Sequence, residues 1–568
     1  MAANPVQAVT QSGEPVLVLR EGRTQSKGRQ AMENNISAAR MICEIVRTSL
    51  GPHGMDKLLL SDQDIATITN DGATMLKEMN IQHPAAKILV DVSKATDSGV
   101  GDGTTSAVVL AGALLERADE LLKRGLHPIV VVSGYRRAAR KAEEILESIA
   151  ERVEPKDREA LVRVATTSMQ SKIIATNAAR IASVVVDAVL AVATEQKNGR
   201  YRVDVKNIKV EKKQGGSMAD TELVRGIVLD QKIVHSGMPR RVEGARIALV
   251  NKPFEIEAGR FNSMISITDA SQVPKFLEEQ TAMYRQMVER LKAVGANVLI
   301  CQKAIDEMAQ HFMSSAGILA VQKSWEYEGP NISRATGARM VTHLDDLTEK
   351  DLGYADVVEE VKVDADMMLF IRGAKNPKST TILARGANKK VAEEAERSIH
   401  DAIMVVRDLM QEPYVVVGGG AVEAEVACQL ARWANQVEGK DQLAADKYAE
   451  ALEQIPTILA QNAGLDPISV MAELRAKHAE GGEGRWYGVP ASGKKIRDLR
   501  AEAVFEPLMV KQQVLRSATE AVCMLLRIDN IIAMPPRKTP HQGEKDREQA
   551  IKEGQRPVAP PSSLATQL

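Results

Sequence analysis

Aromatic side chains are scarce in this 568-residue chain: Phe, Trp and Tyr together make up 3%. That excludes cores built on stacked rings and leaves Ala, Val, Ile, Leu and Met to fill the interior of a chain that is 44% hydrophobic. Cysteine is equally sparse. Cys43, Cys301, Cys428 and Cys523 lie far apart and form no CxxC pair, which argues against a disulfide framework or a zinc site and for a reducing cytoplasm. No charge of one sign is in excess: Lys+Arg 74 against Asp+Glu 75 leaves −1, so no global field exists to hold nucleic acid or an anionic membrane. No run of 18 apolar residues occurs and no apolar stretch follows Glu14, Arg20 and Glu21, so neither a membrane span nor a signal peptide is expected. Solenoid-period repeats, HExxH and GxSxG are missing too, which disfavours solenoid, zinc-protease and hydrolase readings. At roughly 150 residues per domain, the length points to three or four domains.

What is present is helical periodicity punctuated by glycine turns. Met32, Ile36, Ala39, Cys43, Val46 and Leu50 recur three or four apart, an amphipathic helix that Gly51-Pro52 stops. Residues 65–69 read as a short strand running into the turn signal Asn70-Asp71-Gly72, which puts Asp71 in a tight turn before a helical ATMLKEM. After GDG at 101–103 the spacing predicts a helix from Thr104 to about Arg124, stopped by Gly125 with Pro128 beyond, and a second from about 129 to 152. A β-leaning stretch at 201–252 and a strand-rich one at 353–385 precede a long helix over 387–410; helices dominate thereafter. Helical ends around a mixed middle suggest a discontinuous domain, assembled from both ends of the chain with others inserted. The segment from Pro535 lacks apolar periodicity and reads as disordered.

GDGTTS at 101–106 joins two glycines, whose backbone lets N–H groups converge on an anion, to a helix N-terminus that favours phosphate; Asp102 would then hold Mg²⁺. Glycine turns before helices are common, and alone this one has a plain loop reading. Two more of the same kind, SLGPHG at 49–54 and VGGGA at 417–421, tip the balance toward a nucleotide cradle. GVPASGKK at 488–495 approaches a phosphate-binding loop and fails: Lys495 stands where Ser or Thr would hold Mg²⁺, and Pro490 removes an N–H. It reads as an exposed turn. Asp401, beside His400 on a predicted helix surface, reads locally as a solvated carboxylate, and the cysteines as small buried hydrophobes.

Taken together, SLGPHGMDKLL (49–59), ITNDGATMLKEM (68–79), HPAAKILVDVSKATD (83–97), VGDGTTSAVVLAG (100–112), TSMQSK (167–172), GANVLICQKAIDEMAQHF (295–312) and VVGGGAVEAEVA (416–427) resemble the group II chaperonins, in particular the archaeal thermosome subunits, over about 20–533. The resemblance implies a multidomain α plus α/β chaperonin fold. A helical equatorial domain would take 1–155 and 412–534, a small intermediate domain 156–224 and 378–411, and an α/β apical domain 225–377, with a helical protrusion at about 254–290 and a tail at 535–568. It implies an ATP-dependent molecular chaperone in the cytoplasm, a subunit of a homo- or hetero-oligomeric double ring with eight or nine subunits per ring. The ring would enclose and fold unfolded polypeptides, Mg²⁺-dependent ATP hydrolysis closing a built-in lid, with no nucleic acid or membrane as partner.

Carried over motif by motif, Ser49, Leu50, Gly51 and Pro52 would contact the nucleotide, Asp102 would bind Mg²⁺, and Gly103, Thr104, Thr105 and Ser106 would surround the phosphates. Gly419 and Gly420 would lie near the ribose and Asp498 would meet it. Asp71 and Asp401 would orient and deprotonate the attacking water, while Ser171 and Lys172 match a loop that senses the γ-phosphate. Two departures stand out: His53 where Lys or Arg is common, and a diverged helix within 485–508. Phe254, Ile256, Phe261, Met264 and Ile267 read as apolar residues of the lid, followed from Pro274 by a helical stripe of Phe276, Met283, Met287, Leu291 and Val294. A small-molecule kinase would need a separate acid/base constellation, and the sequence offers none; a non-hydrolysing ring would have no use for Asp71, Asp102 and Asp401.

Overall fold

The computed structural model describes residues 7–9, 15–17, 24–60, 66–197, 200–255, 273–322, 324, 328–374, 379–492 and 495–533. The helices run in chain order α1 (Gly28–Arg47), α2 (Gly72–Glu78), α3 (Pro84–Val100), α4 (Thr104–Lys123), α5 (Pro128–Ile149), α6 (Arg158–Met169), α7 (Ala178–Val192) and α8 (Val273–Val294). They continue as α9 (Glu307–Ser315), α10 (Glu328–Thr336), α11 (Lys389–Gln411), α12 (Ala421–Ala434), α13 (Asp441–Leu452), α14 (Gln454–Asn462), α15 (Pro467–Glu480) and α16 (Leu508–Leu525). The expected stripe of α1 points inward through Ile36, Ala39, Cys43 and Val46. Gly125, with φ of +87°, follows the end of α4, and Pro128 opens α5 at a position where its missing N–H costs nothing. The helix expected to reach 152 stops at Ile149, because Glu151 and Arg152 pair as a short strand with Val415 and Tyr414.

Three apolar clusters nest along the chain. The outer one joins Ile36 to Ile149 with Val416 to Leu526, so α1, α3, α4 and α5 close on α12, α13 and α16. At its centre Tyr135 and Tyr448 meet edge to face at 5.6 Å, and their hydroxyls are satisfied by the Leu114 carbonyl and Thr519. The middle cluster packs α6, α7 and α11 on a three-stranded sheet in which Thr380–Gly386 lies between Glu222–Val224 and Ile208–Gln214. The stretch Ile173–Val192 is long and apolar enough to cross a membrane by composition, but Ile181, Ala182, Val185, Val186 and Val189 of α7 are buried here.

The inner cluster is built on a seven-stranded mixed sheet ordered Gly226–Leu229, Asp366–Ala374, Gly353–Val363, Arg241–Val250, Val298–Cys301, Leu319–Val321, with Met340–Val341 pairing Arg241–Val250. Its last strands are parallel, with Leu249 opposite Ile300 and Leu299 opposite Ala320. Being covered on both faces, they carry the continuous apolar runs of buried parallel strands. Phe254, expected among the lid residues, is 1% exposed and belongs to this core. Ile256, Phe261, Met264 and Ile267 lie outside the described residues, as does the segment from 534. On α8, Leu291 of the expected stripe is buried with Tyr284 and Val288, Met287 and Val294 pack against the same core, and Met283 is 48% exposed.

Candidate active site

Three glycine turns from distant parts of the outer core face one open cleft. Leu50, Gly51 and Pro52 line it just beyond α1; Asp102 and Ser106 line it from the α3–α4 turn; Gly419 and Gly420 line it before α12. The residue ahead of α4 is Gly103 (φ +75°) and that ahead of α12 is Gly420 (φ +80°). Neither can supply a side-chain cap, so first-turn N–H groups of both helices stay available to an anion, except that of Ala421, which donates to the Gly418 carbonyl at 3.2 Å. At Gly419 a side chain has no room: a Cβ would sit 2.3 Å from Leu499. This cradle suits a phosphate-bearing ligand.

Ser49 is buried behind the cleft, its hydroxyl donating to the Val46 carbonyl at 2.6 Å. Val489, Pro490 and Ala491 line the cleft, and His53 Nε2 lies 2.5 Å from the Ala491 carbonyl. The segment expected to be an exposed turn is therefore a wall of the site, with Gly488, Val489 and Pro490 buried; its Lys494 lies outside the described residues. Asp498 does not line the cleft: its carboxylate accepts from Arg500 N (2.9 Å) and Ala501 N (3.3 Å).

Beside the cleft the carboxylates gather. In the two-residue turn between the strand Ala66–Thr69 and α2, Asp71 caps the helix, its oxygens accepting from Ala73 N, Thr74 N at 2.8 Å and the Thr104 hydroxyl at 2.9 Å. The start of α2 abuts that of α4, where a Cβ at Gly72 would lie 2.7 Å from the Thr105 hydroxyl. Asp102 accepts from Gly103 N at 2.7 Å and from the Ser168 hydroxyl at 2.6 Å. Asp401, far from a solvated surface group, is buried on α11 and ion-paired with buried Lys172. Asn70 donates to the Ser171 carbonyl, fixing the segment that carries this lysine.

Burial alone would depress the Lys172 ammonium, but Asp401, Asp102 and Asp71 outweigh it and hold the group protonated, well above the usual lysine range. Burial pushes the Asp401 carboxyl well up; Lys172 opposes this, and the Asp71 and Asp102 charges add to it. A nearby fourth carboxyl, Asp97, is raised by burial and by Asp71. Among the described residues no three His, Cys, Asp or Glu side chains are arranged to hold a metal by themselves. A Mg²⁺ ion held by one carboxylate and substrate phosphates needs no such cage, and the negative excess around Asp102 fits it.

A model of the TCP-1/cpn60 chaperonin family matches residues 42–536. The chain belongs to this family. Over 521 residues it is 50% identical to a thermosome subunit of Methanopyrus kandleri, covering 92% of this chain and 95% of the relative. The thermosome subunit alpha of Aeropyrum pernix is 49% identical over 92% and 94% of the two chains, and that of Saccharolobus solfataricus 47% over 95% and 98%. It is a group II chaperonin subunit, a molecular chaperone.

The chaperonin site also contains residues that sequence reasoning passed over. Asp97 and Ser168 lie inside the motifs quoted for the resemblance, yet neither was singled out. Glu506 and Lys511 line the cleft, and buried Lys511 bridges half-buried Glu506 (2.7 Å) and buried Glu423 (2.8 Å). The available signal was a lysine on the apolar stripe Leu508, Lys511, Leu515 of α16, where a charge must have partners.

Proposed function

We propose that this chaperonin subunit hydrolyses Mg-ATP in the cleft and uses the cycle to enclose unfolded polypeptides within a double ring. The observation that carries the reading is the ion pair of Lys172 with Asp401 in the field of Asp71 and Asp102, beside a glycine cradle. Asp102 would hold Mg²⁺ with the phosphate oxygens, and the ion would neutralise charge on the transferred phosphoryl group. First-turn N–H groups of α4 and α12, with Thr104, Thr105 and Ser106, bind phosphate; Leu50, Gly51, Pro52, Gly419 and Gly420 shape the nucleotide's remainder. Asp71 orients the attacking water and Asp401 takes its proton, a role suited to a carboxyl that burial makes more basic than usual. Lys172 and Ser171 read the γ-phosphate: while Lys172 is bound to Asp401 the base is masked, and a phosphate oxygen competing for the ammonium frees it.

The nested clusters support equatorial (1–155, 412–534), intermediate (156–224, 378–411) and apical (225–377) domains, with α11 of the intermediate domain bringing Asp401 to the equatorial loops. Hydrolysis is thereby tied to closure. The lid would lie within the stretch expected at about 254–290, beyond the buried Phe254, and the protein would work in the cytoplasm. Native mass measurement with an ATPase assay tests the reading: a ring of roughly a megadalton that turns over ATP is expected, and an inert ring or a small enzyme would refute it. Asp401→Ala should keep Mg-ATP affinity within a few fold while kcat falls about 10²-fold or more, as for a lost general base.

A further inference from the structure

Two arginines on α11 repeat one hydrogen-bond pattern on either side of Asp401. Arg397 sends Nε (2.9 Å) and Nη2 (2.6 Å) to the same oxygen, Oε2 of Glu394, and that Nη2 also reaches the carbonyl of Ile68 at 3.2 Å. Arg407 sends Nε (2.8 Å) and Nη2 to Oδ1 of Asp408, and that Nη2 also reaches the carbonyl of Gly99. Ile68 stands three residues before Asp71, and Gly99 three residues before Asp102. Each arginine thus ties α11 to the stem of one carboxylate-bearing loop. Both supporting acids are buried, Glu394 at 1% and Asp408 at 0% side-chain exposure, a costly place for a charge that merely decorates a helix. Between the two ties, Met404 lies against Gly101, where a Cβ would fall 2.3 Å from its own. Helix and loop are in full contact there.

We propose that Arg397 and Arg407 are a matched pair of positioning residues, a clasp through which α11 sets the Asp71 and Asp102 loops in register so that Asp401 faces both. This rests on the assignment of Asp401 as the base. Arginine suits the task because its rigid fork spends one edge on the carboxylate while an N–H remains for the carbonyl; a lysine nitrogen on a flexible stem holds no such geometry. Neither side chain lines the cleft, so their removal leaves the nucleotide cradle standing and disturbs only the register of the base. The loss falls on kcat.

In the full-length protein, Arg397→Gln and Arg407→Gln should each lower kcat for Mg-ATP about 10-fold, and the double variant about 10²-fold, with KM within about twofold. Arg→Lys at either position should recover less than half of the loss. If the glutamine variants fail to assemble, Glu394→Gln and Asp408→Asn carry the same test, since they keep side-chain shape and remove only the support; the same kcat-specific loss is expected. Unchanged kcat in the arginine and support variants, with Asp401→Ala inactive, would overturn the clasp and leave the hydrolysis reading intact. A raised KM at unchanged kcat would overturn it as well. Full turnover in Asp401→Ala would instead remove the reading on which the clasp rests.

Discussion

At Lys172 a single ammonium answers to Asp401, Asp102 and Asp71, and the balance can be tilted from either side. Its positive charge is what restrains the rise of the Asp401 carboxyl that burial causes. Lys172→Gln should therefore raise the Asp401 pKa further, and the acid limb of the kcat profile should move to higher pH. The sign follows from the opposing causes: a base that must be ionised loses activity earlier on acidification once its cationic neighbour is gone. Turnover measured from about pH 5 to about pH 9 checks it, and a limb moving toward acid would contradict the assigned coupling. Little of this was legible locally. Asp401 sits in a sequence that reads as a solvated helix surface, and its buried partner, Lys172, lies 229 residues earlier in the chain. Asp102 was easier to see, since the two glycines that make its turn are its sequence neighbours.

Helix α2 has seven residues and is capped by Asp71, so this aspartate would serve the element as well as the chemistry proposed for it. The two roles separate by substitution. Asp71→Asn keeps a capping oxygen and should leave stability to urea within a few tenths of a kcal/mol while kcat falls about 10²-fold; Asp71→Ala should in addition cost about 1 kcal/mol. Equal losses of stability in both would mean that the charge, not the cap, secures the helix. At this scale the sequence was a good guide wherever periodicity and punctuation agreed, as in α1, α4 and α11. It misled where long-range pairing decided the outcome. Glu151 and Arg152 leave the pattern of α5 to pair with Tyr414 and Val415, and the diverged segment at 488–491 becomes a cleft wall because Gly419 accepts the Val489 N–H at 2.9 Å.

Across the whole molecule, the inner sheet and the glycine turns of the cleft belong to different apolar clusters, with the middle one lying between them along the chain. Replacing 256–272 with a short flexible linker spares Phe254 and the buried Tyr284, Val288 and Leu291. ATP hydrolysis should persist, while protease protection of an enclosed client should be lost; a variant that still shields its client would place the lid elsewhere. The nesting also has a consequence for how the protein is made. A ribosome delivers the chain in one direction, yet α1, α3, α4 and α5, which pack on one another, complete their core only against α12, α13 and α16. Everything the innermost sheet needs, from Gly226 to Ala374, emerges before any of those partners. The newborn chain should therefore fold from the inside out, its first-made helices only partly matched until the last-made ones arrive. Nascent chains stalled with 225–377 just exposed should yield a protease-resistant fragment from the sheet while α1 to α5 are digested. Resistance of those helices at that stage would mean that they can hold one another without the far end of the chain.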